Sequence, residues 1–357
     1  MKTVQRAAIL AGAAESFPLL GPVTTDQLID LVHLELGHSE ILDGFRPYAG
    51  GFSRAVPNDP LLHVISSNTP HAGLQSLIRG LLLGAHNFVK LPSGGLREIE
   101  DFIELLPASL TDKVVTAVDL PDQWLSESRT CIVFGSDATI AHFRQRLPAE
   151  TSFEAHPHRI SLGIVFEDLN DSTFLAAADV ARFNQKGCLS PHDFYVAGDA
   201  KNYAARLADA LAQFEGQDPR GEITALEAAE IADIRANYRF RSANDPRVAL
   251  WESEHSTAWT VIYEEDTWFA SSCLNRLAFV KPLPGDLAGA LGPALPWVAA
   301  IGIWPATPEN AERAARLQPS RICPLGQMQN PPFSWHQEGR QTLAPLVRWV
   351  DFEPNLR

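Results

Sequence analysis

The first place where this sequence can hold chemistry is a cysteine on a short polar junction. Residues 184–196 read Asn-Gln-Lys-Gly-Cys-Leu-Ser-Pro-His-Asp-Phe-Tyr-Val, entered by an Ala-rich apolar run over 174–183 and left by a strand-like 193–196. Cys188 therefore falls on a loop between a helix and a strand. Gly187 removes bulk beside the sulfur and Pro191 fixes the exit, so the thiol can meet a ligand and, as thiolate, attack a carbonyl carbon. Taken alone, Cys188 reads equally as a small buried hydrophobe, a common fate of free cysteine.

Three patches upstream carry further candidates. Asn68-Thr69-Pro70 follows a strand pattern, where the Asn68 amide can donate to a developing oxyanion or cap a turn. Lys90 ends the next strand pattern, placed for ribose hydroxyls, a phosphate or plain solvation. Gly135-Ser136 ends a third and opens a helix, whose N–H groups and dipole suit a pyrophosphate. The stretch is not a GxGxxG fingerprint and reads as readily as a simple strand-to-helix turn.

These positions need a frame. From Leu61, strands at 61–66, 87–90, 113–118 and 131–134 alternate with helices at 72–83, 96–106 and 139–147. Such alternation predicts right-handed βαβ units in a parallel, doubly wound α/β sheet, with ligands at the C-terminal strand ends. Upstream, Thr24 is placed to cap a helix running to Leu36, and Gly50-Gly51 marks a turn in a Gly/Pro connection. Residues 152–159 read as a polar connection. A second unit then follows, with strands at 162–166, 259–263, 277–280 and 297–304 and amphipathic helices at 202–214, 222–237 and 309–317.

Composition removes several function classes. A net charge of −14 leaves no electrostatic footprint for nucleic acid, so an anionic cofactor must find local basic groups. Cys131, Cys188, Cys273 and Cys323 are widely spaced with no CxxC pair, which predicts reduced thiols, no disulfide framework and no metal site. Trp335-His336-Gln337-Glu338-Gly339 reads as a loop held by an aromatic anchor, and Trp251, Trp259 and Trp349 as core or subunit-contact residues. No apolar run approaches the ~20 residues of a membrane span, and residues 1–10 lack a secretory pattern, so a cytoplasmic protein is expected.

Read in order, Asn68-Thr69-Pro70, Gly84 with Asn87-Phe88-Val89-Lys90, Phe134-Gly135-Ser136, and Gln185 with Cys188 resemble the motif series of the aldehyde dehydrogenase superfamily. The closer resemblance is to its LuxC-type acyl-CoA reductase family, through Gln185-Lys186-Gly187-Cys188-Leu189-Ser190-Pro191 and the segment from Arg321-Ile322-Cys323-Pro324 to Trp349. The resemblance implies an aldehyde-dehydrogenase-like fold: a lead-in (1–55), a Rossmann-type cofactor domain (56–158), an α/β catalytic domain (159–330) and a tail (331–357). It implies Cys188 as the nucleophile toward an acyl thioester, with Asn68 and the Cys188 N–H as oxyanion donors. Lys90 would meet the adenine-side ribose, and Gly135 and Ser136 would pack against the cofactor.

Departures from the pattern refine the expectation. The glutamate motif that activates water in aldehyde-oxidising members aligns with His156-Pro157-His158-Arg159, where no carboxylate base is evident, which fits reduction. The acidic residue that binds the 2′-hydroxyl aligns with Ser93, so a 2′-phosphate is not repelled and NADPH is expected. The motif holding the nicotinamide ribose is missing, its nearest counterpart being Asn275-Arg276-Leu277-Ala278-Phe279. His156, His158 and His192 stand as candidates to protonate a departing thiolate. The resulting expectation is NADPH-dependent reduction of an acyl thioester, with fatty acyl-CoA as donor, to an aldehyde. The implied partners are the acyl-CoA or other acyl-thioester substrate, an acyl-activating or acyl-transferring protein, and further copies of the chain in a homo-oligomer. Two other readings stay open: a hydrolase or acyltransferase using the same cysteine, and a non-catalytic partner of an acyl-activating enzyme.

Overall fold

The computed structural model describes every residue except Ala49, Asn68, Thr69, 169–171 and 355–357. Its chain forms two units, one of Met1–His158 with Asn330–Arg357 and one of Arg159–Gln329. In the first, helices α1 (Thr3–Ala14) and α2 (Thr25–Leu36) send Leu10, Leu28 and Leu31 into the main core, so the lead-in is built into this unit. Thr24 caps α2 as expected, accepting from the Gln27 N–H while the Gln27 side chain returns to the Thr24 N–H. Strands β1 (Arg46–Tyr48) and β2 (Gly51–Pro57) then form a hairpin where the sequence suggested only a connection. Three residues including a proline carry too little alternation to register as a strand.

The sheet that follows matches the expected alternation: β3 (Leu61–Val64), α3 (Pro70–Leu83), β4 (Asn87–Lys90), α4 (Arg97–Glu104), α5 (Ala108–Thr111), β5 (Val114–Ala117), α6 (Asp122–Glu127), β6 (Thr130–Phe134) and α7 (Asp137–Arg146). A fifth strand, β7 (Ser152–His156), replaces the expected connection. It pairs only with β6, and an edge strand can stay polar and half-exposed, which hid it from a hydrophobicity reading. Strand order is β5-β4-β3-β6-β7, all parallel. The chain builds outward from β3 to one side and then from β6 to the other, so the switch point lies between the C-terminal ends of β3 and β6.

A buried polar tie seats α3 on this sheet. The Asn87 amide donates to Ala85 O at 2.8 Å, so its oxygen accepts from His63 Nε2 at 3.0 Å and His63 Nδ1 accepts from the Ser76 hydroxyl at 2.7 Å. Burial pulls the His63 pKa down to about 4, against the bond to Asn87, and the ring stays neutral.

The second unit holds β8 (Ile160–Val165), α8 (Thr173–Ala181), β9 (Pro191–Val196), α9 (Ala200–Gln217), α10 (Ala225–Asn244), β10 (Val248–Glu252), β11 (Thr260–Glu264), β12 (Leu277–Pro282), α11 (Leu287–Leu291), β13 (Val298–Trp304), α12 (Pro308–Ala315) and β14 (Arg321–Pro324). Helix α10 starts later than its apolar pattern indicated, because Thr224 and Glu227 form a reciprocal cap there, and it runs on to Asn244. Strand order is β10-β11-β12-β9-β8-β13-β14, parallel except for β10. The four central strands β12, β9, β8 and β13 are almost wholly buried, as expected of a sheet covered on both faces.

The chain returns to the first unit through 330–354. Phe333 is buried beneath the Arg79 guanidinium, and Glu35 accepts from the N–H groups of Thr342, Leu343 and Ala344. Strand β15 (Val347–Phe352) then pairs antiparallel with β2. Trp349, expected as a core or contact residue, is 44% exposed and stacks on Tyr48. Among the described residues no helix is long and apolar enough to cross a membrane.

Gly80 tests the tie beneath α3, since a Cβ there would lie 1.9 Å from Asn87 Oδ1. Gly80→Ala gains about 1 kcal/mol of helix propensity, but displacing the buried amide costs about 1–3 kcal/mol in packing and a similar amount in unmade hydrogen bonds. We expect a net loss of about 2 kcal/mol or more, read as a lower denaturant midpoint in equilibrium unfolding.

Candidate active site

Cys188 lies in the turn between α8 and β9 and is exposed, whereas Cys131 and Cys323 are buried and Cys273 is half-buried. Burial pushes the Cys131 and Cys323 thiols up to about 12 and the Cys273 thiol up to about 11. Those three resist ionisation near neutral pH, which leaves Cys188 as the accessible thiol.

The loop is held from its flanks. Ser161 of β8 donates its hydroxyl to Cys188 O at 2.8 Å and accepts from Ala300 N of β13 at 3.1 Å. The Ser190 N–H closes on Gly187 O at 3.0 Å, and the Ser190 hydroxyl accepts from Gln329 Nε2 at 3.0 Å. Segment 326–328 is tied in turn to Asp179 of α8, which accepts from Gly326 N and Met328 N. Burial raises the Asp179 carboxyl to about 7, opposed by those two bonds and by Arg182 and Arg321.

Gln185 anchors the loop, and sequence reasoning did not assign it this part. Its side chain is fully buried; Nε2 donates to Pro191 O at 2.7 Å and Leu277 O at 2.8 Å, and Oε1 accepts from Leu277 N at 2.9 Å. The Ser272 hydroxyl lies 3.3 Å from Oε1 but donates more closely to Leu277 O at 2.6 Å. One amide thus joins the entry of β9 to the entry of β12. Around it the backbone is left-handed at three successive residues in each segment: φ is +55°, +52° and +62° at Phe183, Asn184 and Gln185, and +66°, +55° and +64° at Leu274, Asn275 and Arg276. The two turns meet through Asn275 N donating to Asn184 O at 3.0 Å. Non-glycine residues in this region cost roughly 1–2 kcal/mol each, and such strain collects at functional sites.

Nearby charges are committed. Lys186 pairs with Glu227 at 2.6 Å, and that bond, with the Thr224 N–H, draws the Glu227 carboxyl down to about 2. Arg276, in the stretch aligned with the ribose-binding motif, is buried and bound to Glu215 at 2.6 Å and to Asp218 O at 2.9 Å. It serves the fold of its turn, not a ribose. His192 is buried too, its Nδ1 accepting from Ser272 N at 3.0 Å, so this candidate proton donor is held inside the protein. His158 is exposed.

In the first unit Lys90 ends β4, and Ser93 stands in an exposed turn closed by Gly95 N donating to Pro92 O at 2.9 Å. Gly135 follows β6; a Cβ there would meet the Thr139 side chain at 3.0 Å, so glycine lets the strand end pack on α7. Ser136 caps α7 by accepting from Thr139 N at 3.3 Å. Lys90, Ser93, Gly135 and Ser136 thus follow the C-terminal ends of β4 and β6, the edge where a doubly wound sheet takes a dinucleotide, and their chemistry fits one. Asp137 in the first turn of α7 opposes phosphate held directly on the helix end, so the turn suits packing against a cofactor more than clasping its pyrophosphate. Asn68 lies outside the described residues.

His156 ends β7 and stacks on Phe134, ring centroids 4.5 Å apart, while its Nδ1 lies 2.9 Å from Glu338. Arg340 binds Ala155 O at 2.8 Å and Glu338 at 3.2 Å, with Glu154 at 3.6 Å. The stretch 156–159 itself carries no carboxylate, but two stand beside it: Glu154 shares β7 with His156, and Glu338 arrives from the tail, 182 residues away. Both are engaged in ion pairs. The 335–339 loop is correspondingly held by Glu338, and the deeply buried aromatic beside it is Phe333. No described group of three or more His, Cys, Asp or Glu is placed to hold a metal.

The family described as acyl-CoA reductase (LuxC) matches residues 19–349. The chain belongs to this family. Its relatives include long-chain acyl-protein thioester reductase 2 of Photobacterium leiognathi, 21% identical over 343 residues covering 91% of this chain and 70% of that protein. A long-chain acyl-protein thioester reductase of Aliivibrio fischeri is 21% identical over 348 residues, again covering 91% and 70%. Among solved structures, succinate-semialdehyde dehydrogenase from Burkholderia pseudomallei superposes with a TM-score of 0.69 at 13% identity, over 99% of this chain and 86% of that one. NADP-dependent glyceraldehyde-3-phosphate dehydrogenase from Bacillus halodurans C-125, complexed with NADP, gives 0.66 at 11%, over 99% and 87%. An NAD-dependent benzaldehyde dehydrogenase from Corynebacterium glutamicum gives 0.67 at 13%, over 99% and 86%. The fold of this LuxC-family chain is aldehyde-dehydrogenase-like, and its family membership makes it an oxidoreductase of the acyl-reductase type.

Gln185→Leu should lower stability by about 2–3 kcal/mol, because the Pro191 carbonyl loses the amide and the buried Leu277 N–H keeps only its longer bond to Leu274 O at 3.2 Å. Iodoacetamide at pH 8 checks the loop directly. Peptide mapping should find Cys188 alkylated first in the native protein, with Cys131, Cys273 and Cys323 protected until it unfolds.

Proposed function

We propose that this protein reduces an acyl thioester to an aldehyde with NADPH through an acyl-Cys188 intermediate. The observation that carries the reading is the Cys188 loop, which holds the one exposed thiol among the four on a strained turn in a LuxC-family chain. The Cys188 thiolate attacks the acyl carbonyl, a new C–S bond forms, and the donor leaves as its own thiolate. Asn68 and the Cys188 N–H serve as donors to the oxyanion of that step and of the following reduction. NADPH, when bound, supplies the hydride that converts the acyl thioester to the hemithioacetal level. Collapse of that adduct releases aldehyde and returns the Cys188 thiolate.

Lys90, Ser93, Gly135 and Ser136 are assigned to the cofactor. Aldehyde-dehydrogenase-like proteins include both NAD-dependent and NADP-dependent enzymes, so the choice of NADPH rests on Lys90 and on Ser93 in place of a carboxylate. The lack of a carboxylate in the aligned stretch His156-Pro157-His158-Arg159 favours hydride over water as the acceptor. The donor is a fatty acyl group on CoA or on a protein; the names of the relatives point to a protein carrier, and hence to an acyl-activating or acyl-transferring partner.

Single-turnover assays with radiolabelled acyl-CoA and acyl-protein test the reading. Cys188→Ala should abolish both covalent labelling and NADPH oxidation, while Cys131→Ala and Cys323→Ala should alter stability and leave labelling intact. Labelling of Cys188 without NADPH oxidation would identify an acyltransferase instead.

Cofactor choice has its own test. Ser93→Glu should shift preference toward NADH several-fold or more, since a like-charge contact of about 1.4 kcal/mol is tenfold in affinity. Equal NADPH affinity in both proteins would remove Ser93 from the 2′ position.

A further inference from the structure

The second unit contains a cavity of about 220 Å³ that the proposed reaction does not use. Its walls are Ile164, Phe166, Leu283, Leu287, Ala288 and Leu317, from the exits of β8 and β12, the start of α11 and the end of α12. Strands β8, β9 and β12 run parallel, and Cys188 precedes β9 beside Ser161 at the start of β8. Phe166 follows β8 at its other end, about 17 Å further along the strand at ~3.3 Å per residue. The cavity therefore opens at the sheet edge opposite the nucleophile.

Its rim is cationic in a protein of net charge −14. Arg313 and Arg316, three residues apart and so on one side of the α12 terminus, both line it. The Arg313 guanidinium stacks on the Phe166 ring at 4.1 Å and donates only to the neutral Asn310 at 3.2 Å. Neither arginine has a carboxylate partner among the described residues, unlike Arg235, Arg239, Arg241, Arg247 and Arg276 in the same unit. Arginine at a helix C-terminus complements the dipole, which accounts for its charge there but not for a guanidinium stacked over an apolar cavity. Asp286 also faces the space, with one oxygen accepting from Gly289 N at 2.9 Å; its charge leaves the rim one net positive and selects against polyanions.

We propose that this cavity binds an amphipathic monocarboxylate, the apolar chain against Ile164, Phe166 and Leu317 and the carboxylate on Arg313 and Arg316. The space, about 220 Å³ and open on one side, has room for an apolar chain of medium length. Apolar walls give the affinity, and the planar guanidinium forks match a carboxylate.

Octanoate is the probe, with octanol as its uncharged counterpart, and binding is read by calorimetry without turnover. Octanoate should bind, the doubly substituted Arg313→Gln, Arg316→Gln protein should bind it at least tenfold more weakly, and octanol should bind both proteins equally. Ala288→Trp, which fills the space, should remove both ligands. The arginines are exposed, so their replacement decides the matter even where the tryptophan variant does not fold. A diazirine-bearing octanoate should label peptides within 283–288 or 313–317. Absence of octanoate binding at millimolar concentration, equal octanoate affinity in the arginine variant, or labelling confined to 182–191 would overturn the proposal.

Discussion

Among the ties that hold the Cys188 loop, one side-chain amide joins it to two strands at once. Gln185 reaches the backbone of both β9 and β12, and the two left-handed turns at 183–185 and 274–276 sit on either side of it. Each turn is a conformation that an L-residue adopts at a cost, and six such residues in contact cannot be sustained by a few hydrogen bonds worth about 1 kcal/mol each. What sustains them is what they join: β9 and β12 are neighbouring central strands, buried along nearly their whole length. The hydrophobic effect fixes the strands, the amide fixes the turns to the strands, and the thiol emerges where the first turn ends.

The buried polar groups around this frame divide by task. Arg276 with Glu215, and Asn184 with Arg220 O, pin the two turns to the far end of α9 and the segment beyond it. Lys281 is fully buried between Glu264 and Asp266, at 2.8 and 3.2 Å, and offsets the cost of carboxylates inside the sheet. In the first unit the polar cluster of His156, Glu154, Glu338 and Arg340 fastens the returning tail to the edge strand β7. Glu215, Glu264, Glu154 and Glu338 each stand against a basic side chain.

Much of the frame was legible in the sequence because it is local. The βαβ alternation, the Thr24 cap and the cysteine between an Ala-rich helix and a strand are read within windows of a dozen residues, where periodicity and capping chemistry act. What escaped reading is either polar or distant. Strand β7 has an edge position and needs no second apolar face, and β1, β2 and β15 form a small sheet whose third strand comes from the far end of the chain. Gln185 belonged to the recognised motif, but its partner Leu277 is 92 residues away, and Glu338 is 182 residues from His156. No spacing rule bridges such gaps. The left-handed turns were invisible for another reason: Phe183, Leu274 and Arg276 are among the residue types least suited to positive φ, so propensity argues against what tertiary packing enforces.

On the proposed reading, the candidate cofactor residues stand at C-terminal strand ends of the first unit's sheet, and Cys188 stands before the N-terminal end of a strand in the second unit's sheet. A dinucleotide is a large anion, and a parallel sheet offers it helix N-termini and strand-end loops at the C-terminal edge, where Ser136 caps α7 and Lys90 ends β4. A nucleophilic sulfur needs instead to be presented singly, on a backbone that cannot move away as a carbonyl approaches. Placing it before β9 achieves this: the strand begins three residues later, Pro191 permits no rotation about φ, and Ser161 of β8 holds the cysteine carbonyl itself. A loop after a strand is anchored at one end by the sheet and at the other by a helix that can shift. At Cys188 the sheet anchors one side, while Gln185 on the other is bonded to that same sheet, so both flanks refer to one rigid body.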